Sequence, residues 1–257
     1  MGNRTDRPGK ASSPCRLNQE FHMLNSIGDV TRARVRAVDG DIGPVEDVLF
    51  DDHRWVIRYL VVDAGTWLAE REVLISPYSL KQPVGRGGLI EVALTRRLIR
   101  TSPALDASQP VSREYEQEFQ RHYHYPSYRE GGGLWALGAT PYPSVAPLPR
   151  DAAEGAGTTH PAATQLRSAE QMHGYEVVTP EGCIGQVHDL VFDDQTWQIR
   201  YFVVDTDKPA GGRKLRVGPP WALRIDWAAQ RVHLALTPEH GEGGAAYAGA
   251  ERQDCCA

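Results

Sequence analysis

The side chains best able to do chemistry are aspartates that recur in two similar stretches. They form two sets of four with identical spacing: Asp47, Asp51, Asp52 and Asp63, then Asp189, Asp193, Asp194 and Asp205. Paired carboxylates can act as general acid and base, or can bind a hard cation such as Ca²⁺. Adjacent aspartates are also common turn residues, because the short carboxylate accepts hydrogen bonds from its own backbone. We favour the turn interpretation, since the spacing lacks the alternating Asp/Asn/Gly register of an EF-hand loop.

Other catalytic signatures are missing from the sequence. The nine histidines are scattered and form no HExxH motif, and no paired CxxC pattern occurs, so a zinc site is not predicted. There is no Ser/His/Asp elbow, no P-loop and no GxGxxG motif after a strand. We therefore expect a protein that is not an enzyme, and we assign no catalytic residue, no metal ligand and no cofactor.

The cysteines and the chain termini predict a cytoplasmic location. Cys15, Cys183, Cys255 and Cys256 do not form a disulfide framework, which fits a reducing compartment. No apolar run approaches the length of a membrane span, and the polar N-terminus lacks a signal-peptide core. The formal net charge of −5 and the pI near 6.0 argue against nucleic acid as a partner.

Two copies of one unit account for most of the chain. The stretch VEDVLFDDHRWVIRYLVVD at residues 45–63 returns as VHDLVFDDQTWQIRYFVVD at residues 187–205, with twelve of nineteen positions identical. The offset of 142 residues holds without a gap from Ser26 and Ser168 to Thr95 and Thr237. Such self-similarity indicates a repeated structural unit. A unit of about 70 residues buries only roughly 60% of its unfolded surface, so contact between the two copies, or association of whole chains, is plausible.

Short apolar runs separated by turn signals predict a mainly β protein. In the first copy the predicted strands are Ala33–Val38, Val45–Phe50, Trp55–Asp63, Val73–Ile75 and Leu89–Leu94. Close turns without intervening helices indicate two small antiparallel β-barrels in tandem, joined by a short helix and a Pro/Gly-rich linker.

Composition divides the chain into five segments. They are a disordered leader at 1–20, a first barrel at 21–100, a helix plus flexible linker at 101–165, a second barrel at 166–238 and a disordered tail at 239–257. Ser112 is the expected N-cap of the helix, which should end before Pro126. From Pro126 to His160, a Gly-, Ala- and Pro-rich composition predicts a flexible to polyproline-II-like linker.

The residues that are identical in the two copies are expected to specify the fold, because both copies must solve the same packing problem. Arg58 and Arg200 lie within predicted strands, and we expect cross-strand ion pairs with Asp47 and Asp189, respectively. The tryptophans that begin these strands are expected to pack in the core or at the barrel mouth.

Function is better sought where the copies differ. Trp67 and Leu68 occupy a loop whose counterpart at 208–213 has no large apolar residue. They could form a contact surface for a partner, or they could fold back onto their own barrel. Trp221 and Trp227 occur in the second copy alone and could meet the first.

The predicted helix has an aromatic face. Tyr115, Phe119 and Tyr123 recur at helical spacing. A docking helix explains this face better than a ligand box does, so these residues join Trp67 and Leu68 as a possible interaction surface.

The repeated residues resemble the PRC-barrel family, named after the cytoplasmic barrel of the photosynthetic reaction-centre H subunit. The resemblance covers roughly residues 26–98 and 168–238, and its carriers start at Gly43-Pro44 and Gly185-Gln186. The other signature residues are Asp47, Phe50, Asp51, Trp55, Arg58 and Tyr59, and Asp189, Phe192, Asp193, Trp197, Arg200 and Tyr201.

The resemblance implies a β-barrel used for binding and assembly, with no common active site. One branch caps a membrane reaction centre, and another forms the C-terminal half of the 16S rRNA maturation factor. The chain lacks the anchoring helix of the first and the N-terminal domain of the second. We expect a protein-interaction module with an unidentified protein partner. The alternatives are a reaction-centre-H-like role in photosynthetic electron transport, an RNA- or ribosome-associated factor, and a small enzyme using the hairpin carboxylates.

Overall fold

The structure is a computed structural model that describes part of the chain. The described residues are 23–68, 71–82, 84, 88–105, 110–129, 131, 133–136, 138–142, 165–206 and 214–235. The leader, the tail and the linker expected between residues 143 and 164 lie outside these ranges.

The first copy contains six strands and a short N-terminal helix. Its elements are β1 (Leu24–Ser26), α1 (Ile27–Val30), β2 (Arg34–Ala37), β3 (Gly40–Asp51), β4 (Val56–Asp63), β5 (Glu72–Ile75) and β6 (Leu89–Glu91). Two further helices follow it, α2 (Arg96–Arg100) and α3 (Arg113–Tyr123). The Ser112 hydroxyl accepts a hydrogen bond from the Tyr115 N–H, and α3 ends at Tyr123 with His124 as its C-cap, so the predicted cap and the end before Pro126 are confirmed.

The second copy repeats the same order and adds one strand. Its elements are β7 (Leu166–Ser168), α4 (Ala169–Met172), β8 (Glu176–Thr179), β9 (Gly182–Asp193), β10 (Ile199–Asp205), β11 (Lys214–Val217), β12 (Ala222–Asp226) and β13 (Arg231–Leu234). The added strand is β12, which lies where the first copy has the segment between its Pro77–Ser79 turn and β6.

The strands form two sheets, which confirms the predicted mainly β class. One sheet has the order β5-β4-β3-β2-β6 and the other β11-β10-β9-β8-β13-β12. Within each sheet the neighbours are antiparallel, except for the parallel pairs β2–β6 and β8–β13. Among the described residues the end strands of each sheet do not pair with each other, so both sheets are open.

The two copies exchange their first strands. β1 pairs with β9 of the second copy, where Leu24 lies opposite Asp193 and Ser26 opposite Val191. β7 pairs in the same register with β3 of the first copy. Each copy therefore contributes one strand to the sheet of the other. The contact between the two copies that the sequence made plausible is observed within one chain.

A local two-fold axis relates the copies. Val56 forms an antiparallel bridge with Gln198, its own counterpart in the repeat. Beside it, the Ile57 N–H donates to the Trp197 carbonyl at 2.8 Å, and the Ile199 N–H donates to the Trp55 carbonyl at 2.6 Å. The axis consequently passes between the starts of β4 and β10.

Aromatic side chains fill the space around this axis. Trp55 stacks on Phe50 with ring centres 5.3 Å apart and meets Phe202 of the second copy edge-on at 5.0 Å. Trp227 also reaches Phe50, at 6.4 Å, so its expected contact with the first copy is confirmed. Trp221 remains 49% exposed. Because both copies contribute, their buried residues form one continuous hydrophobic core.

A repeated glycine within β3 and β9 permits close approach of two backbones. A Cβ atom on Gly43 would lie 1.7 Å from the Asp63 carbonyl oxygen, and one on Gly185 would lie 2.0 Å from the Asp205 carbonyl oxygen. No side chain fits at either distance, which explains why both copies have glycine there.

The prediction of an unstructured linker from Pro126 is wrong for the described residues up to Tyr142. Tyr128 and Trp135 are buried, and the Trp135 Nε1 donates to the Thr196 carbonyl of the second copy at 2.8 Å. Aromatic side chains within this Gly-rich stretch supply the apolar area that fixes it in place.

Candidate functional site

The loops joining β3 to β4 and β9 to β10 contain the adjacent aspartates. The Asp51 carboxylate accepts hydrogen bonds from the N–H groups two and three residues later, at 2.9 and 3.1 Å. The Asp193 carboxylate does the same at 3.1 and 2.9 Å. Each loop ends in a left-handed tryptophan, with φ of 58° at Trp55 and 59° at Trp197. The turn interpretation is confirmed for Asp51 and Asp193.

The hydrogen bonds at the second loop also affect its acidity. Burial alone would raise the pKa of Asp193, but the N–H groups of Thr196 and Gln195 and the charge of Arg200 outweigh it and lower the pKa below its usual value. This carboxylate is therefore held in its charged form, as an acceptor rather than a proton donor.

The expected ion pairs of Arg58 with Asp47 and of Arg200 with Asp189 are wrong. The Arg58 Nη2 lies 3.2 Å from a carboxylate oxygen of Asp51, and Arg200 lies 3.4 Å from the matching aspartate of its own hairpin loop. Each arginine thus binds the loop that its own hairpin forms.

The register of β3 and β4 places Arg58 away from Asp47, which lies opposite Val61. Phe50 lies opposite Ile57 and Leu49 lies opposite Tyr59, so Arg58 has no residue opposite it. The same jump in register occurs between β9 and β10. A bulge turns its extra side chain away from the regular alternation, here toward the hairpin loop.

The first aspartate of each set binds the exchanged segment of the other copy. The Asp47 carboxylate accepts from the Glu170 N–H at the start of α4, at 3.1 Å. The Asp189 carboxylate accepts from the Gly28 N–H at the start of α1, at 3.2 Å, and from the Ser26 hydroxyl.

The third aspartate of each set holds the same segments at their other end. Asp52 accepts from the Gln165 N–H at 3.2 Å and pairs with Arg167 at 3.0 Å. Asp194 accepts from the Met23 N–H at 3.1 Å. Six of the eight repeated carboxylates that looked like candidates for catalysis therefore form turns or join the two copies.

The two bulge arginines differ in burial. The Arg58 guanidinium lies 3.9 Å from the centre of the Tyr128 ring and donates to the Leu134 carbonyl at 2.6 Å. Its side chain is fully buried, whereas that of Arg200 is 41% exposed. Tyr128, Leu134 and Trp135 cover the first arginine, and no described element covers the second.

Glu116 on α3 organises a cluster of tyrosines that sequence reasoning did not identify. It accepts hydrogen bonds from the hydroxyls of Tyr59 and Tyr128 and pairs with Arg129 at 3.0 Å. Burial, followed by the neighbouring Tyr128 and Glu116, raises the pKa of Tyr59 well above its usual value. Both hydroxyls therefore remain protonated donors. The one signal in the sequence was an acidic residue beside an aromatic helical face.

The aromatic face of α3 docks on the first copy. Phe119 is 1% exposed and meets Tyr59 edge-on at 5.1 Å, and Tyr123 is 7% exposed. The Tyr115 hydroxyl donates to the Pro103 carbonyl at 3.2 Å. The docking-helix interpretation is confirmed. The prediction that Tyr115, Phe119 and Tyr123 form an exposed surface for another protein is wrong, because the first copy of this chain already covers them.

Trp67 and Leu68 also turn inward. The Trp67 Nε1 donates to the Ile42 carbonyl at 2.8 Å, and the Arg96 guanidinium lies 4.4 Å from the indole ring. Both apolar side chains are half-buried against the core of the first copy. The alternative in which they fold back onto their own copy is the one observed.

The sheet face that α3 covers in the first copy is more open in the second. Tyr201 occupies the position of Tyr59 and is half-buried, and Arg216 replaces the fully buried Leu74. The Arg216 guanidinium lies 6.0 Å from the Tyr201 ring. We call the surface formed by Arg200, Tyr201 and Arg216 the β10 face.

An acidic cleft of about 750 Å³ lies where β7 and α4 meet the first copy. Glu46, Asp47, Glu72 and Glu170 line it together with Arg167. Burial, followed by the charges of Glu46, Asp63 and Asp47, raises the pKa of Glu72. In the second copy, residues His188 and Lys214 take the places of Glu46 and Glu72, so the acidic charge is not a requirement of the fold.

The described residues contain no group of three or more His, Cys, Asp or Glu side chains that could hold a metal ion. Within the same part of the chain, none of the helices has the length and apolar character needed to cross a bilayer.

Comparison with known proteins places the chain near one protein without a described role. No family model matches the chain. It is similar to an uncharacterized protein of Deinococcus radiodurans, with 30% identity over 130 residues. The match covers 45% of this chain and 43% of that protein, so the chain spans less than half of its relative's length.

Proposed function

We propose that this chain is a tandem PRC-barrel protein that acts without catalysis, as a binding and assembly module for another protein. The roles of the repeated residues support this assignment. Asp51 and Asp193 close the hairpins, and Arg58 and Arg200 pair with them. The first and third aspartates of each set join the two copies. Asp51 and Asp193 are buried, so they lack the open side toward a substrate that a catalytic carboxylate needs.

The observation that carries the proposal is the unequal use of one sheet face. In the first copy, Tyr59 receives Phe119 and Glu116 from α3 of the same chain. In the second copy, Tyr201 stands at the same place beside Arg200, and no described helix lies on it. The β10 face therefore fits a helix of another protein that presents an aromatic and an acidic side chain.

Charge favours an acidic partner. The β10 face has an arginine at position 216 where the helix-covered face has Leu74. Its guanidinium lies 6.0 Å from the Tyr201 ring, and Arg200, which pairs with Asp193, precedes Tyr201 on β10. Complementary charge raises the association rate and selects among partners, so binding should weaken as ionic strength rises.

Photo-crosslinking from position 201 tests the proposal. The full chain carries p-benzoylphenylalanine in place of Tyr201, and a matched chain carries it in place of Val38, which is 54% exposed in the first copy. Expected is a protein crosslinked from position 201 alone, through a helical segment containing acidic and aromatic residues. Arg200→Glu should reduce capture of that same protein, whereas Arg100→Glu, at an exposed helix position, should not.

The other functional hypotheses give different products in the same experiment. Crosslinking of position 201 to RNA would replace the proposal by the ribosome-associated role. A crosslink to a membrane electron-transfer complex would support the reaction-centre-H-like role. Equal crosslinking from both positions, or capture unaffected by Arg200→Glu, would contradict a specific site on the β10 face.

A further inference from the structure

Among the described residues, the strand β12 has one edge that no other strand pairs with. It lies at the end of the sheet order β11-β10-β9-β8-β13-β12 and pairs only with β13 within the described residues. An unpaired edge offers a row of N–H and C=O groups to another strand. In the strand order this edge is at the opposite end of the sheet from β11, although residues 218–221 join the two strands.

Large apolar side chains are exposed at this strand. Leu223 is 71% exposed and Trp221 is 49% exposed, more than any other large hydrophobic residue described except Val38. Leu223 is the extra residue of a bulge, since Ala222 lies opposite Leu234 and Arg224 opposite His233. The first copy has no strand at this place, so the repeat itself does not require these residues.

Arg224 and Asp226 of β12 pair with each other at 3.2 Å within the chain, and the same two charges are complementary to those of a second identical strand. From Arg224 to Asp226 the strand is regular, with Ile225 between the two charges. If two such strands pair antiparallel about a two-fold axis through Ile225, each Arg224 lies opposite the Asp226 of the other molecule. Opposite charges at directly opposed positions stabilise a sheet, and like charges there destabilise it.

We propose that the protein forms a homodimer by antiparallel pairing of β12 from two molecules, centred on Ile225. Such an interface is isologous, because the same residues meet on both sides of the axis. The partner strand would cover Leu223. A single strand pair buries little area, so we expect a weak, concentration-dependent dimer.

Charge substitutions test the register of this dimer by sedimentation equilibrium of the full chain. Arg224→Glu places a glutamate opposite Asp226 of the other molecule at both contacts of the dimer. This repulsion should raise the dimer Kd about tenfold or more. Adding Asp226→Lys to the same chain restores opposite charges at both contacts and should return the Kd to within about threefold of the original. Mixing the two single variants should produce a heterodimer, although each alone is mainly monomeric.

Independent variants guard against misfolding, since Asp226 also accepts a hydrogen bond from the Ala229 N–H at 2.9 Å. Leu223→Lys should dissociate the dimer, and Val38→Lys should not, with circular dichroism unchanged in both. A wild-type chain that stays monomeric at all concentrations would overturn the proposal. It would also be overturned if Arg224→Glu and the doubly substituted chain had the same Kd. Neither result would depend on whether the β10 face binds a partner.

Discussion

Arg58 and Arg200 occupy equivalent positions, and their unequal burial predicts unequal losses of stability when either is removed. Each lies in the β-bulge of its own copy and pairs with the aspartate of the adjacent hairpin loop. The side chains of Arg58 and Asp51 are fully buried, whereas Arg200 keeps 41% of its side chain exposed. Substitution by methionine removes the same group from the same backbone in both cases.

The expected magnitudes follow from this difference. Arg58→Met leaves the Asp51 charge buried without its partner, which costs about 3–5 kcal/mol. It also removes the bond to the Leu134 carbonyl and the contact with the Tyr128 ring. Arg200→Met breaks a partly exposed pair and costs about 0–1 kcal/mol. At about 2–4 °C per kcal/mol, the Tm should fall by about 6–20 °C for Arg58→Met and by no more than about 4 °C for Arg200→Met.

Thermal unfolding and urea unfolding of the full chain, followed by circular dichroism and tryptophan fluorescence, measure both losses. Arg58→Lys is a useful intermediate, because it keeps the positive charge but cannot make the same contacts. Equal losses for the two methionine variants would refute the argument that burial of the pair, rather than the repeated motif, sets its contribution.

Three further predictions rest on the same structure. The pKa of Glu72 is raised in the folded protein, so the charge of this carboxylate opposes folding once the pH rises above about 4.3, the pKa of an unfolded glutamate. Glu72→Gln should therefore raise the Tm at pH 7 and leave it unchanged at pH 3. The pKa of Asp193 is lowered in the folded protein, so its charged carboxylate stabilises the fold above about pH 3.9, the pKa of an unfolded aspartate. This stabilisation is lost as the pH falls through the pKa of the folded state. Asp193→Asn should therefore make the free energy of unfolding less dependent on pH in the acid range. Phe119→Ala should lower the free energy of unfolding, measured with urea, by about 3–5 kcal/mol. The control Glu118→Ala, at an exposed position on the same helix, should change it by no more than about 0.5 kcal/mol. A similar loss for both variants would contradict the burial of Phe119, and an effect independent of pH would contradict the first two predictions.

Local signals in the sequence were sufficient for the elements that local chemistry determines. The Asp51 and Asp193 turns follow from the hydrogen bonding of aspartate to its own backbone, and the Ser112 cap follows from the orphan N–H groups of a helix start. The mainly β class follows from the short alternating runs. These features need no knowledge of which strands meet.

The partners of the repeated charges could not be derived in that way. Asp47 lies opposite Val61, and an extra residue in β4 leaves Arg58 without an opposite residue near Asp51; no sequence rule locates such a bulge. The exchange of first strands is hidden for a different reason. Since β3 and β9 have similar sequences, β1 satisfies the same pairing pattern whichever copy supplies the neighbouring strand. The continuation of the repeat to Ser26 and Ser168 showed only that these strands belong to the unit.

The exchange has a direct consequence for a chain cut between the copies. Residues 150–155, between Tyr142 and Gln165, are replaced by a protease site and the purified protein is cleaved. We expect the two fragments to co-elute on gel filtration, because β1 and β7 complete each other's sheets and the Val56–Gln198 bridge joins them at the axis. Combining Asp47→Ala with Asp189→Ala removes the bonds to α4 and α1 and should allow separation at a lower urea concentration. Fragments that separate in native buffer and remain folded monomers would show that each copy completes its own sheet.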